Sequence, residues 1–316
     1  MSVEPDAAQA GLLPTPGHSA PASPGQGPWR RVLIRFRDDR YSMIALAILV
    51  VFVVAGILAP FYVPYDPLAT VPADRSLGIT AEHLLGTDSL GRDIFSRVMS
   101  GARSSLSVGV ISVLIGLLGG GVLGLLAAYY RVLDAPIMRF VDILLAFPSI
   151  LIALAIVATL GPGLEKAMIA VGVANIPLFA RLARGQVLSV LERDFIEAAR
   201  SVGAKDGRIV FRHLVPNCLG TLVVYSTVRL GQAIMMATTL GFLGLGAQPP
   251  SPEWGAMVSA GRAYLTTHPM EVIAPSVAIF VVVICANLVG DGLRDALDPK
   301  NQRVLSKRAR RRLAAA

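Results

Sequence analysis

Apolar residues along this 316-residue chain come in long unbroken blocks, not in the short alternations of a soluble fold. Residues 41–65, 104–130, 143–164, 230–252 and 272–290 contain no Asp, Glu, Lys, Arg or His. A helix needs roughly 20 such residues to cross the hydrocarbon core of a bilayer, so these blocks predict five spans. A sixth is predicted around residues 167–180, shorter than the others and carrying Pro177. The expected fold class is an all-α integral membrane protein with six transmembrane helices. Composition agrees. Mean hydropathy is +0.62, and charged residues make up 16% of the chain, against about 25% in soluble domains.

The basic residues predict orientation. Most of the 29 Lys and Arg fall in residues 1–40, 129–139, 181–213 and 292–316, and few in the alternate loops 64–103, 161–168 and 247–270. Basic residues near a span resist translocation, so both the N and C termini are expected in the cytoplasm. The net charge of +8 then follows from topology. A nucleic-acid partner is not expected, because it would need a basic face interleaved with aromatics on a soluble domain that the pattern leaves no room for. The basic tail 307–312 can touch anionic membrane lipid or serve as a topology anchor.

Residues 1–29 are rich in Ala, Pro and Gly without an apolar core, so they read as a disordered cytoplasmic extension and not a signal peptide. Residues 30–104 hold the first span and an extracytoplasmic loop. Residues 105–291 form a core of five spans, and 292–316 a basic cytoplasmic tail. Two cysteines in or beside apolar segments and four scattered histidines predict neither a disulfide framework nor a metal site.

In residues 85–109, Asp88 or Ser89 is placed to cap a helix. Ile94, Phe95, Val98 and Met99 share one face and Arg92, Asp93, Ser96 and Arg97 the other. That pattern predicts a short amphipathic elbow lying in the membrane interface. The acid-rich start lacks the ligand spacing of an EF-hand loop. Gly116, Gly120 and Gly124 repeat every fourth residue, which permits close helix contact, either within the chain or with a second membrane subunit. Pro148 and Pro275 are expected to kink their spans.

The loop over 192–217 is the most regular polar stretch. A helix is expected from about Asp194, with Ile196, Ala199 and Val202 along a narrow apolar stripe and Gly203 interrupting it. A second helical stretch carries Ile209, Val210, Phe211 and Leu214, and Pro216 is expected to open the next span, where its missing N–H costs little. Small residues Ala198 and Ala199 on a projecting edge, flanked by Glu197 and Arg200, suit a knob that seats in the groove of a soluble partner. A bare membrane-surface loop is the other reading.

This stretch resembles the EAA loop of binding-protein-dependent ABC importer permeases: Glu-Ala-Ala, three residues, Gly, twelve residues, Pro. Glu197, Ala198, Ala199, Gly203 and Pro216 fit it, and His213 to Asn217 (HLVPN) is close to the HILPN of the dipeptide/oligopeptide branch. Residues 85–109, 241–255 and 287–300 are similar to the C-type permease subunit of that branch, so the resemblance covers about 30–300. One departure stands at Ala237, where the branch often carries an acid.

The resemblance implies a MetI-like permease core preceded by a peripheral first span, in the bacterial inner membrane. It implies Glu197, Ala198, Ala199, Arg200, Gly203, Ala204, His213, Pro216 and Asn217 as the ATPase-coupling residues. It further implies a homologous second permease, two ABC ATPase subunits that bind the ATP and Mg, an extracytoplasmic substrate-binding protein, and import of di-/oligopeptides or a related solute by alternating access.

The residues themselves predict no catalysis here. A P-loop places Gly before its Lys, whereas Lys166, Lys205, Lys300 and Lys307 follow Glu165, Ala204, Pro299 and Ser306. The competing reading is a carrier or channel working alone on an ion gradient, which usually needs ionisable residues inside its spans. Arg229 is the one deep charge. It either faces the translocation path or is a structural Arg bonded to backbone carbonyls.

Overall fold

The computed structural model describes residues 28–297. Among them helices dominate: α1 (Pro28–Asp38), α2 (Arg40–Tyr62), α3 (Ile94–Tyr129), α4 (Arg131–Leu145), α5 (Ser149–Leu160), α6 (Leu164–Leu191), α7 (Asp194–Ser201), α8 (Asp206–Arg208), α9 (Val215–Phe242), α10 (Trp254–Gly261) and α11 (Met270–Leu297). Residues 1–27 of the extension expected over 1–29 and most of the tail over 292–316 lie outside the described residues, whereas Pro28 and Trp29, counted with that extension, open α1.

Five helices (α2, α3, α6, α11 and the run from α8 through α9) are long and apolar enough to cross a membrane, and α4 with α5 forms a sixth, bent candidate. The sequence ranked these differently. The apolar block 143–164, predicted as one span kinked at Pro148, is the last turn of α4, a three-residue break and α5, bent by 93°. Pro148 does more than kink the helix. It stands at the N-cap of α5, where the missing N–H and the clash with the preceding residue stop α4 from continuing. The short sixth span is instead α6, 28 residues long and unbroken through a buried Pro177.

The core is the α3–α6 pair. Gly116, Gly120 and Gly124 face Asn175, Phe179, Ala180 and Ala183, so this small-residue stripe serves internal packing. Ser112 Oγ donates to the Met168 carbonyl at 2.9 Å across the same seam. Val171, Phe179, Val187 and Leu240 bury almost completely around it. α2 buries only Ser42, Ala45, Gly56 and Ala59 along its 23 residues, which makes it a peripheral addition.

At one end of the bundle, residues 63–93 and α10 form a cap, and here the interfacial elbow is corrected. α3 runs without interruption from Ile94, across the expected boundary at 104/105, and its N-cap is Asp93, not Asp88 or Ser89. Asp93 accepts from the Ser96 N–H and hydroxyl, both at 2.7 Å, and its other oxygen lies 3.0 Å from His83 Nδ1. The polar face expected to lie against headgroups is buried: Arg92 bonds Asp88 at 2.6 Å, and Arg97 donates to the Pro67 carbonyl at 2.7 Å. Trp254, fully buried, donates its indole N–H to the Val98 carbonyl at 2.9 Å.

Glu253 caps α10 by accepting from the Gly255 and Ala256 N–H groups at 2.8 and 2.9 Å, and takes a third bond from the Ser105 hydroxyl at 3.3 Å. Burial pushes its carboxyl above the ordinary carboxylate range, and the three hydrogen bonds only partly offset this. A carboxyl raised in the folded state stabilises fully below its unfolded pKa and loses that contribution as pH rises through the folded value. The melting temperature of the detergent-solubilised chain is therefore expected to climb as pH falls from neutral toward the carboxylate range. Glu253→Gln should flatten that climb; an unchanged slope in the variant rejects the assignment.

Candidate functional site

The opposite end of the bundle carries the 192–217 loop. Its backbone follows from local chemistry. α7 ends in a Schellman arrangement, in which the Gly203 N–H bonds the Arg200 carbonyl at 2.9 Å and the Ala204 N–H bonds the Ala199 carbonyl at 3.0 Å. That closure needs a left-handed residue at the turn, and Gly203 supplies it at φ +78. An added Cβ would meet nothing within 4 Å. Conformation, not space, selects the glycine here.

Three apolar side chains plug the loop into the core. Ile196, Ile209 and Leu214 are 0–1% exposed and join the cluster that contains Val187 and Val190. Glu197, Ala198, Arg200 and Gly203 are exposed, whereas Ala199 and Ala204 are half-buried. The expected apolar stripe is therefore graded: Ile196 is sealed, Ala199 is intermediate and Val202 is 84% exposed at the apex. Phe211, 76% exposed, adds a second apolar group left uncovered among the described residues. Sequence periodicity placed Val202 and Phe211 on helices but could not tell that they face outward.

The second half of the loop differs from expectation. α8 passes through a π-helical turn (Ile209–Leu214) directly into α9. Pro216 thus lies inside a continuous helical run and does not open a fresh span. The wider turn accommodates it: the Val215 N–H reaches back to the Val210 carbonyl, a five-residue step typical of a π-bulge. His213 is half-buried with its ring 6.1 Å from that of Phe195, and its carbonyl accepts from the Asn217 side chain at 2.7 Å. Pro216 and Asn217 are exposed. The residues expected to couple thus form two groups, a projecting knuckle from Glu197 to Ala204 and a bracing segment from His213 to Asn217.

Two tethers beyond sequence reasoning hold the surroundings. Tyr129, at the end of α3, donates its hydroxyl to Asp206 at 2.7 Å. Arg184 of α6 grips Asp134 of α4 with two bonds of 2.6 Å. Arg229 lies far from the knuckle, at the middle of α9. It bonds the Tyr225 hydroxyl and the Gln232 side chain, not the backbone carbonyls of the structural alternative.

Comparison with known proteins bears on these features. Residues 120–303 match the family described as binding-protein-dependent transport system inner membrane component. Residues 27–78 match the N-terminal TM domain of oligopeptide transport permease C. The dipeptide transport system permease protein DppC of Alkalihalophilus pseudofirmus is 46% identical over 91% of this chain and 96% of its own length. The glutathione transport system permease protein GsiD of Pectobacterium atrosepticum is also 46% identical, over 86% of this chain and 91% of its own. The inward-facing MetNI methionine ABC transporter shares the fold at a TM-score of 0.53 and 22% identity, covering 64% of this chain and 97% of that one. A carrier working alone on an ion gradient gives way to these findings. A projecting knuckle on a MetI-like bundle, carried by a chain this similar to importer permeases, is a multi-pass inner-membrane permease subunit, and the chain belongs to the binding-protein-dependent transport system inner membrane component family.

Proposed function

We propose that this chain is one of two homologous permeases that form a translocation path for di-/oligopeptides or a related small solute, with ATP hydrolysis supplied elsewhere. In this reading both termini and the knuckle lie in the cytoplasm. Two ATPase subunits hold the ATP and Mg, and an extracytoplasmic binding protein delivers cargo at the capped end. The carrying observation is the contrast between Ile196, Ile209 and Leu214, sealed in the core, and Glu197, Ala198 and Val202, held out in solvent. A rigidly rooted but uncovered knuckle can pass displacement of a partner into the bundle, because packed interiors shift as units and do not deform locally. Relatives named for dipeptide and glutathione transport support a peptide-like cargo.

Proteoliposomes carrying the chain with its partner subunits should import dialanine only when ATP and the binding protein are both supplied. An ion gradient alone should drive none. Uphill uptake by this polypeptide alone on an ion gradient would overturn the proposal.

A further inference from the structure

One face of α9 is wrong for contact with lipid. Thr221, Tyr225, Arg229, Gln232 and Thr239 recur at i, i+4, i+8, i+11 and i+18, which places them within about 80° of one another on a 3.6-residue helix. All five are exposed or half-buried. Val223, on the other side of the helix, is exposed and apolar, as a lipid-facing position should be. The polar strip runs most of the length of α9 and passes through its midpoint.

Arg229 sits at that midpoint. Its Nε donates to the Tyr225 hydroxyl at 2.9 Å, one Nη donates to the Gln232 side-chain carbonyl, and the guanidinium lies 5.2 Å from the Tyr225 ring centre. Tyr225 is itself braced edge-on against the buried Phe179 of α6, with ring centres 5.2 Å apart. The guanidinium is therefore aimed from a fixed scaffold. Its charge is not neutralised, since no Asp or Glu pairs with it among the described residues. Arg has five N–H donors and two are used here, which leaves a cation with free donors halfway along a spanning helix. Such a group is costly in hydrocarbon and belongs against water or a polar partner.

We infer that this strip lines the aqueous route through the assembled importer, and that Arg229, aimed by Tyr225 and Gln232, is a transient binding site for the carboxylate of a passing anionic solute. The inference depends on the permease reading and narrows its cargo to carboxylate-bearing molecules. The remaining donors suit the two oxygens of a carboxylate. A single cation in a wet path binds weakly enough to release what it holds, as passage requires.

The test uses the full complex in proteoliposomes, with the buried Cys218 and Cys285 replaced by Ala. Thr221→Cys, Thr239→Cys and, as a lipid-facing control, Val223→Cys are treated with methanethiosulfonate reagents bearing either a sulfonate or a trimethylammonium group. The two strip cysteines are expected to react and the control to stay unlabelled. Positive potential in a confined path raises the local anion concentration about tenfold or more, so the sulfonate reagent should be favoured by that factor. Arg229→Gln should abolish the preference and Arg229→Lys retain it. Unlabelled strip cysteines in every nucleotide state overturn the aqueous route, and a preference indifferent to Arg229→Gln overturns the anion site. If Arg229→Gln fails to assemble, Arg229→Lys decides: assembly without anion preference means that the charge serves a subunit contact, which also overturns the site. In transport, dialanine should be favoured over its C-terminal amide by the wild type and not by Arg229→Gln. Labelling needs neither a known cargo nor ATP hydrolysis, so absent dialanine uptake with intact labelling would count against peptide cargo alone.

Discussion

Gly203→Asp and Glu197→Lys should each leave the chain inserted and folded, yet release the ATPase and cut uptake by more than about tenfold. The expectation rests on what these positions do not touch. Glu197 is exposed in the first turn of α7, its carbonyl accepts the Ser201 hydroxyl at 3.0 Å, and its carboxylate has no hydrogen bond or ion pair among the described residues. Reversing its charge therefore breaks no side-chain contact and costs α7 at most its small helix-dipole stabilisation, about 0.3–1 kcal/mol. Gly203 has open space around its missing Cβ, so a side chain there meets no clash. The cost is conformational, roughly 1–2 kcal/mol for a non-glycine residue held left-handed, and it falls on the turn that aims α7. A loss of 1.4 kcal/mol in a binding step is tenfold, so even a modest tilt of the knuckle is felt by a docked partner. Membrane abundance, co-purification of the ATPase and uptake are to be measured side by side. Normal uptake by both variants removes the coupling assignment; loss of the chain from the membrane shows that the loop is structural.

The knuckle was legible in the sequence because its geometry is set locally. A helix start near Asp194 and a left-handed Gly203 are decided by neighbours within a few residues, whereas the burial of Ile196, Ile209 and Leu214, and not of Val202 and Phe211, depends on the core cluster they enter. The spans were legible as apolar blocks, but their ranking was not. α6 looked weak because it is the most enclosed of the five long spans, 61% buried over an 18-residue stretch. A helix surrounded by protein can use Ala, Gly and Asn where a lipid-facing one needs Leu and Ile. The block 143–164 looked strong because composition says nothing of a bend, and Pro148 gave no measure of its angle. The elbow failed for another reason. Arg92, Asp93, Ser96 and Arg97 find partners in Asp88, His83 and Pro67, and Trp254 closes over Val98 from 156 positions away, so a face that looked amphipathic is buried on both sides. The strip around Arg229 needed exposure as well as spacing, since Tyr225, Gln232 and the threonines are unremarkable one at a time.

Gly120→Leu should be the most damaging single change to the fold, and Gly121→Leu should be tolerated. A Cβ at Gly120 would lie 2.5 Å from the Ile176 carbonyl oxygen and from Phe179 Cβ, and 2.7 Å from the Ala180 nitrogen. Two of these three are backbone atoms of α6, which cannot turn aside as a side chain would. The only relief is separation of α3 from α6, the most extensively packed pair in the bundle. Overpacking of ordinary cores costs about 1–3 kcal/mol, and here about 3 or more is expected because rigid backbones must part. At Gly121 an added Cβ meets nothing within 4 Å, so the same substitution one residue away controls for helix propensity and bulk. The pair also tests the internal-packing role of the small-residue stripe. If the stripe holds α6, Gly120→Leu lowers the abundance and melting temperature of the chain expressed alone. A Gly120→Leu chain that keeps its abundance and melting temperature and loses only the complex rejects that role. The consequence reaches the knuckle, because Val187 and Val190 at the end of α6 share their cluster with Ile196. A displaced α6 loosens the seat from which α7 projects, so a surviving fraction of Gly120→Leu should couple poorly even where it folds.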